Sequence, residues 1–206
     1  RPNNCLCVCW TDLFGANRLA RSARPAAAPL PPGRAARAAP VTMAAAATQI
    51  ASVDSPVGRL SVTGSRDAVT AVSWQAPDST APAATGSAPA IAARQLADYF
   101  AGNRTTFDVP LMLEGSDHQQ RVWAALLDIP FGEVISYGEL ARRISSAPRA
   151  VGTACGRNPI AILVPCHRVI AGNGRLTGYS AGAGIQTKRQ LLALEGQHDL
   201  FATAPS

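Results

Sequence analysis

The 206-residue chain carries 19 Lys and Arg against 13 Asp and Glu, a formal net charge of +6, and 47% of its residues are hydrophobic. That length allows one ordinary domain or two small ones with a sizeable core, and no run approaches the roughly 20 uncharged apolar residues of a membrane-spanning helix, so no membrane partner is expected. Cys5, Cys7 and Cys9 crowd the first residues and leave Cys155 and Cys166 apart, which argues against a disulfide framework. The Cys-x-Cys-x-Cys alternation also lacks zinc-ligand spacing, and its nearest histidine is His118, so neither a metal nor a cofactor is expected.

The charge is uneven along the chain. Residues 1–42 hold arginines with a single aspartate; rich in Arg, Ala and Pro and without apolar periodicity, they read as a disordered extension ahead of a domain opening at Met43. An organelle transit segment is the alternative for this stretch. Residues 43–135 are net −4 and residues 136–189 net +7, a step expected of a surface that tracks phosphates, although a merely solvated basic face would look the same.

In chain order, three β-type runs at 49–53, 60–64 and 69–74 are separated by the turns Ser55-Pro56-Val57-Gly58 and Ser65-Arg66-Asp67, predicting a small antiparallel sheet. Residues 76–90, with Pro77, Pro82 and Pro89, read as a loop. Residues 91–100 form an amphipathic helix with Leu96, Tyr99 and Phe100 toward the core, stopped at Gly102. Residues 43–110 thus make an N-terminal α/β domain to which the residues themselves assign no chemistry.

A second, mainly helical domain spans residues 111–198. Ser116 caps its first helix, Gln119 completes a capping box, and Val122, Trp123, Leu126 and Leu127 recur at helical spacing and should bury. Pro130-Phe131-Gly132 ends that helix. Ser136 and Glu139 form a second capping box, opening a helix through Ile144; a turn with Ser145, Ser146 and Pro148 leads to a short helix at 149–156. This pair reads as a helix-turn-helix, with Arg142, Arg143, Arg149 and Arg157 on or beside it. Ala161-Ile162-Leu163-Val164 reads as a short buried strand, residues 185–195 as the last helix, and residues 199–206 as a frayed tail. The fold class is α+β.

The stretch Pro165-Cys166-His167-Arg168-Val169-Ile170 stands between that apolar run and the glycine-rich Gly172-Asn173-Gly174. A cysteine is often only a small buried hydrophobe. With an imidazole and a guanidinium directly following, however, its pKa can fall well below the usual 8.5 or so and give a nucleophilic thiolate. Adjacent side chains diverge, so a water relay between Cys166 and His167 is expected rather than direct contact.

The run from Asn158 to Ile170, Asn-Pro-Ile-Ala-Ile-Leu-Val-Pro-Cys-His-Arg-Val-Ile, resembles the active-site segment of the O6-alkylguanine-DNA alkyltransferases, or methylated-DNA-protein-cysteine methyltransferases. The resemblance extends from about Ser52 to Gly196 and is strongest from Gln119 onward. It implies direct DNA repair in which an alkyl group moves from O6-alkylguanine, and from O4-alkylthymine as a further substrate, to Cys166 after the base is flipped from duplex DNA.

The resemblance further implies that His167 and Glu195 favour the thiolate, that the Tyr137 hydroxyl assists the leaving base, and that Asn158 braces the active-site turn. Arg149 would fill the space of the extruded base, with Ser136, Arg142 and Arg157 on the DNA, while Val169, Tyr179 and Ser180 line the pocket. A monomer working in the cytoplasm, or in the nucleus of a eukaryote, is expected. The pattern departs from the family in a shorter connection between Tyr137 and Arg149 and a longer one at Ala181-Gly182-Ala183-Gly184. The competing readings are a lesion-binding relative that does not transfer, a Cys-His-Glu thiol hydrolase that turns over repeatedly, and a helix-turn-helix regulator indifferent to loss of the thiol.

Overall fold

The computed structural model describes residues 48–75 and 81–197, so the expectations for residues 1–42 and 199–206 lie outside the described residues. The expected strands form as β1 (Gln49–Val53), β2 (Leu60–Gly64) and β3 (Val69–Ser73). They pair antiparallel, with Ala51 opposite Val62 and Val62 opposite Val72. Alternation along β2 turns Leu60 and Val62 into the core, and an irregularity in the β2–β3 register at Thr63/Gly64 lets both Val69 and Val72 of β3 join them, each contributing about 1.5–3 kcal/mol of burial.

The stretch expected to be only a loop contributes more than that. Ala81–Pro82 forms β4, which adds to β1 in parallel and extends the sheet to the order β3-β2-β1-β4; a proline is tolerable there because an edge strand has no ladder bond to lose on its outer side. Helix α1 (Ala88–Phe100) also begins ahead of its apolar pattern. Pro89 sits in its first turn, where the missing N–H has no helical partner to lose. Leu96 and Tyr99 are buried as expected.

In the second half, α2 (Asp117–Leu127) carries the full Ser116–Gln119 capping box. Val122, Trp123 and Leu126 are buried, but Leu127 is 48% exposed. One helical step beyond Leu126 rotates it off the buried stripe, onto the wall of a cavity of about 270 Å³ shared with Phe107, Pro130 and Pro165. Trp123 Nε1 donates to Ala154 O at 2.9 Å, fixing α2 to a later helix.

That later helix is α4 (Pro148–Gly156), preceded by α3 (Tyr137–Arg143). The two make the expected helix-turn-helix, with α4 starting at Pro148. Ser136 Oγ accepts from Glu139 N, but the return half of the box is absent because the Glu139 carboxylate accepts from Arg143 at 2.8 Å. A parallel pair, β5 (Ile135–Ser136) with β6 (Val169–Ile170), brings the start of α3 alongside the segment after Cys166. Helix α5 (Ile185–Leu194) follows, with Glu195 as its C-cap.

The expected strand at 161–164 does not form. Val164 N donates to Ile160 O, closing a tight buried turn, and Ile162 sits at φ 75°. A β-branched residue in the left-handed region costs on the order of 1–3 kcal/mol and persists only when its surroundings over-determine it. Here Pro159 and Pro165 flank the turn, Val72 N holds Pro159 O, and Asn158 bonds across it. Among the described residues no helix is long and apolar enough to cross a membrane.

Candidate active site

The turn delivers Cys166 at the start of a single 3-10 turn, Cys166–Arg168. Its side chain is 5% exposed. Asn158 is the brace: Nδ2 donates to Val164 O at 2.8 Å and lies 3.3 Å from the Cys166 sulfur, while Oδ1 accepts from Ile160 N at 3.0 Å. One amide side chain therefore fixes both the strained turn and the thiol. A short turn closed by prolines can hold a side chain rigidly at its end.

Behind the thiol lies a closed polar cluster centred on Glu195, which is 3% exposed. Oε1 accepts from Tyr99 OH at 2.8 Å and Arg168 Nη2 at 2.9 Å and pairs with His167 Nε2 at 2.9 Å; Oε2 accepts from Arg168 Nε at 2.8 Å and Gly132 N at 3.3 Å. Burial pushes the carboxyl pKa up, but the bonds from His167 and Arg168 outweigh it and hold it at about 2. Glu195 is thus ionised at neutral pH.

Protonation of the imidazole follows from this. Burial lowers the His167 pKa, more than Glu195 raises it, so the ring is neutral. An ionised Glu195 can only accept, which assigns the ring's proton to Nε2 and leaves Nδ1 with a free lone pair. Nδ1 is buried and has no hydrogen-bond partner. A buried acceptor left without a partner costs free energy, and this one sits one residue from the thiol.

The thiol's own environment differs from the expectation that its neighbours lower its pKa. Burial pushes the Cys166 pKa up, and the opposing pull comes from the Asn158 amide and the Lys188 charge. Arg168 is spent on Glu195 and on Ile129 O, and a neutral His167 offers no charge. Cys155, the other described cysteine, is also free and buried, its pKa pushed up to about 12 by burial and by Cys166.

In front of the thiol stand two phenols and an amine. Tyr137 OH donates to Thr177 O at 3.2 Å. Lys188, fully buried, donates to Thr177 O at 3.0 Å and to Val169 O; burial lowers its pKa to about 8, with Cys166 and Cys155 pulling the other way. Burial raises the pKa of both Tyr137 and Tyr179, and in both the nearby Cys166 sulfur adds to the rise. Tyr179 OH is buried without a partner. Val169 is buried and Ser180 exposed.

Of the residues singled out in the sequence, Cys166, His167, Glu195, Asn158, Tyr137, Val169 and Tyr179 converge on this one place. Arg142, Arg149 and Arg157 are exposed along the helix-turn-helix, and Ser136 Oγ is occupied as the cap of α3. Sequence reasoning misses Tyr99, Arg168 as a partner of Glu195, and Lys188. The signal for Lys188 is its register, since it falls with Leu191, Leu192 and Glu195 on the buried side of α5. Among the described residues no group of three or more His, Cys, Asp or Glu is placed to hold a metal ion.

Two family models match the chain: "6-O-methylguanine DNA methyltransferase, ribonuclease-like domain" over residues 50–113, and "6-O-methylguanine DNA methyltransferase, DNA binding domain" over residues 117–197. The chain is 51% identical over 153 residues to a methylated-DNA--protein-cysteine methyltransferase of Mycolicibacterium paratuberculosis, covering 71% of this chain and 91% of the relative. It is 51% identical over 149 residues to the protein of the same name from Mycobacterium tuberculosis, covering 69% and 89%. Among solved structures, the Mycobacterium tuberculosis O6-methylguanine methyltransferase superposes with a TM-score of 0.64 at 46% identity, over 77% of this chain and 96% of that one. A complex of the Mycobacterium tuberculosis OGT with DNA gives a TM-score of 0.65 at 49% identity, over 72% and 93%.

Proposed function

The chain belongs to the methylated-DNA--protein-cysteine methyltransferase family, and from that premise we propose that it repairs DNA directly, moving a methyl or larger alkyl group from guanine O6, and from thymine O4, onto its own Cys166. The observation that carries this reading is the buried thiol held by Asn158, with a neutral imidazole behind it whose free Nδ1 has no partner.

Transfer is an attack by sulfur on an sp³ carbon. The S–C bond forms as the C–O6 bond breaks, and the bonding pair leaves on the guanine oxygen and ring. The thiol proton passes toward His167 Nδ1, through a bridging water where direct reach is lacking, and Glu195 stabilises the resulting imidazolium. Tyr137 OH gives a proton to the departing base and regains one from solvent as the His167 imidazolium releases its own, so the proton lost at sulfur is balanced by one gained on guanine. The Lys188 ammonium favours the thiolate as it forms. A thiol kept neutral by burial until substrate arrives is also protected from adventitious oxidation.

Reaching Cys166 requires the base outside the helix stack, at a cost of a few kcal/mol offset by pocket and phosphate contacts. The exposed Arg142 and Arg157 are the phosphate-facing groups, and Arg149, in the first turn of α4, is the one to fill the space that an extruded base leaves. The product is a thioether, which has no easy hydrolytic exit, so each molecule works once.

Incubation with an excess of duplex carrying O6-methylguanine, followed by peptide mass spectrometry, tests this. A single methyl on the Cys166 peptide, saturating at one per protein, is the expected result. Methyl found elsewhere, none at all, or continued product formation beyond one per protein overturns it.

A further inference from the structure

The segment between Thr177 and α5 is held at both ends, and between them it meets a side chain from just beyond the N-terminal sheet. At the near end Thr177 O accepts from Tyr137 OH and Lys188 Nζ. Gly178 there has φ +69°, and a Cβ on it would lie 2.7 Å from Tyr137 OH, so the backbone is pressed onto the phenol. At the far end Ala183 N donates to Thr187 Oγ1 at 2.9 Å, and Gly184 N to Ala181 O at 3.0 Å. Between them, Gly182 lies against the indole of Trp74.

That last contact is close. A Cβ on Gly182 would be 2.8 Å from Trp74 Cε2, 2.9 Å from Nε1 and 2.7 Å from Thr187 Oγ1, at φ +57°. Both the left-handed backbone and the space exclude any side chain. Trp74 itself cannot swing away freely, because Nε1 donates to Val57 O at 2.7 Å and the ring packs beside Gly58. It follows directly on β3, whose Val72 N holds the Pro159 carbonyl at the root of the active-site turn. One edge of the front sheet therefore grips the alkyl-acceptor site twice, once at the turn that carries Cys166 and once at the segment facing it.

What lies between the two grips is Tyr179. Its ring is buried in the same packed cluster of side chains as Cys166, and its hydroxyl has no partner there. With Cys166 only 5% exposed, the room for an alkyl group at the sulfur depends on how far residues 178–182 can draw back. Resting on the reading of Cys166 as the alkyl acceptor, we propose that Trp74 is a positioning residue that sets the pocket's tolerance for alkyl size, by pinning Gly182 and so holding the buried Tyr179 in the cluster it shares with the thiol. Nothing in its place in the sequence, in a β-type run of the scaffold half, marks it for that role.

The test compares duplexes identical except for O6-methylguanine or O6-benzylguanine, with the full chain and its Trp74→Ala, Trp74→Phe and Gly182→Ala variants. The saturating transfer rate, the half-saturating duplex concentration and the melting temperature are measured for each. Loosening the grip by Trp74→Ala, or wedging it apart by Gly182→Ala, should raise the benzyl-to-methyl rate ratio by roughly tenfold, the scale at which pocket shape discriminates alkyl groups. Half-saturation by the methyl duplex should hold steady, and Trp74→Phe, which keeps an aromatic ring but not the Nε1 bond, should give a ratio between those of Trp74→Ala and the wild type. Gly182→Ala replaces no residue of the sheet and presses on the contact from the other side, so an unchanged ratio in that variant overturns the proposal whatever Trp74→Ala does to folding. A wild-type chain that transfers no methyl would instead overturn the function itself.

Discussion

The two sides of Cys166 are built on opposite terms. Behind it, both oxygens of Glu195 are taken up by Tyr99, Gly132, His167 and Arg168, so the carboxylate is buried, charged and fully paired. Outside that cluster of bonds, His167 Nδ1 and Tyr179 OH are buried without partners, and the backbone in front of the thiol runs through glycines at 178, 182 and 184 with positive φ. A fully satisfied network has one arrangement and fixes the imidazole; an unsatisfied one leaves its hydrogen bonds for something that arrives. The difference teaches which side is scaffold and which side is meant to change.

Substitutions on each side should therefore fail differently. The largest effect is expected from Cys166→Ala, which should abolish transfer, by more than about 10³-fold in a methyl-transfer assay, because the other described thiol, Cys155, is buried with its pKa pushed up to about 12 and offers little thiolate. Its melting temperature should hardly move, since the thiol's single side-chain bond is the one from Asn158.

Glu195→Gln attacks the paired side. It strands the Arg168 guanidinium, and loss of one partner from a buried pair costs about 3–5 kcal/mol, readable by urea unfolding. The sign of its pH dependence follows from a carboxyl held at about 2 in the folded chain. The stabilisation is fully present above the ordinary carboxylate range and is lost as pH falls toward about 2. The variant should lose that acid-limb slope; an unchanged slope would mean that Glu195 is not the group responsible.

Tyr137→Phe tests the front side without touching the back. It removes a proton donor while leaving the ring, so the transfer rate should fall on the order of 10²-fold with folding stability little altered. Smaller still are the exposed arginines. Arg149→Ala, Arg142→Ala and Arg157→Ala should each weaken duplex binding modestly and reduce the salt dependence of log K by about 0.9 per lost phosphate contact, measured by anisotropy titration. A variant that changes transfer but not the salt slope would mark its arginine as acting on the base instead.

Much of this was legible in the residues because local rules carried it. Strand alternation, the Ser116 cap and the paired short helices follow from nearest-neighbour chemistry, and the long motif around Cys166 names its own partners through family resemblance. The misreadings have a shared cause. Ala161-Ile162-Leu163-Val164 looks like a strand because a short apolar run is buried either way; only the closing prolines and the Asn158 side chain, acting over several residues, force Ile162 to φ 75°. Lys188 reads as a surface lysine until its register with Leu191 and Leu192 is noticed. Tyr99 and Trp74 belong to the half assigned no chemistry, and their contacts with Glu195 and Gly182 span separations that no local pattern encodes.

The claim on which both sides depend is the state of one ring. Nitrogen-15 NMR of the uniformly labelled, substrate-free chain at neutral pH reads the protonation of His167 directly. A neutral imidazole with its proton on Nε2 and Nδ1 bare is the expected result; a proton on Nδ1, or an imidazolium, would contradict it and remove the acceptor for the Cys166 proton.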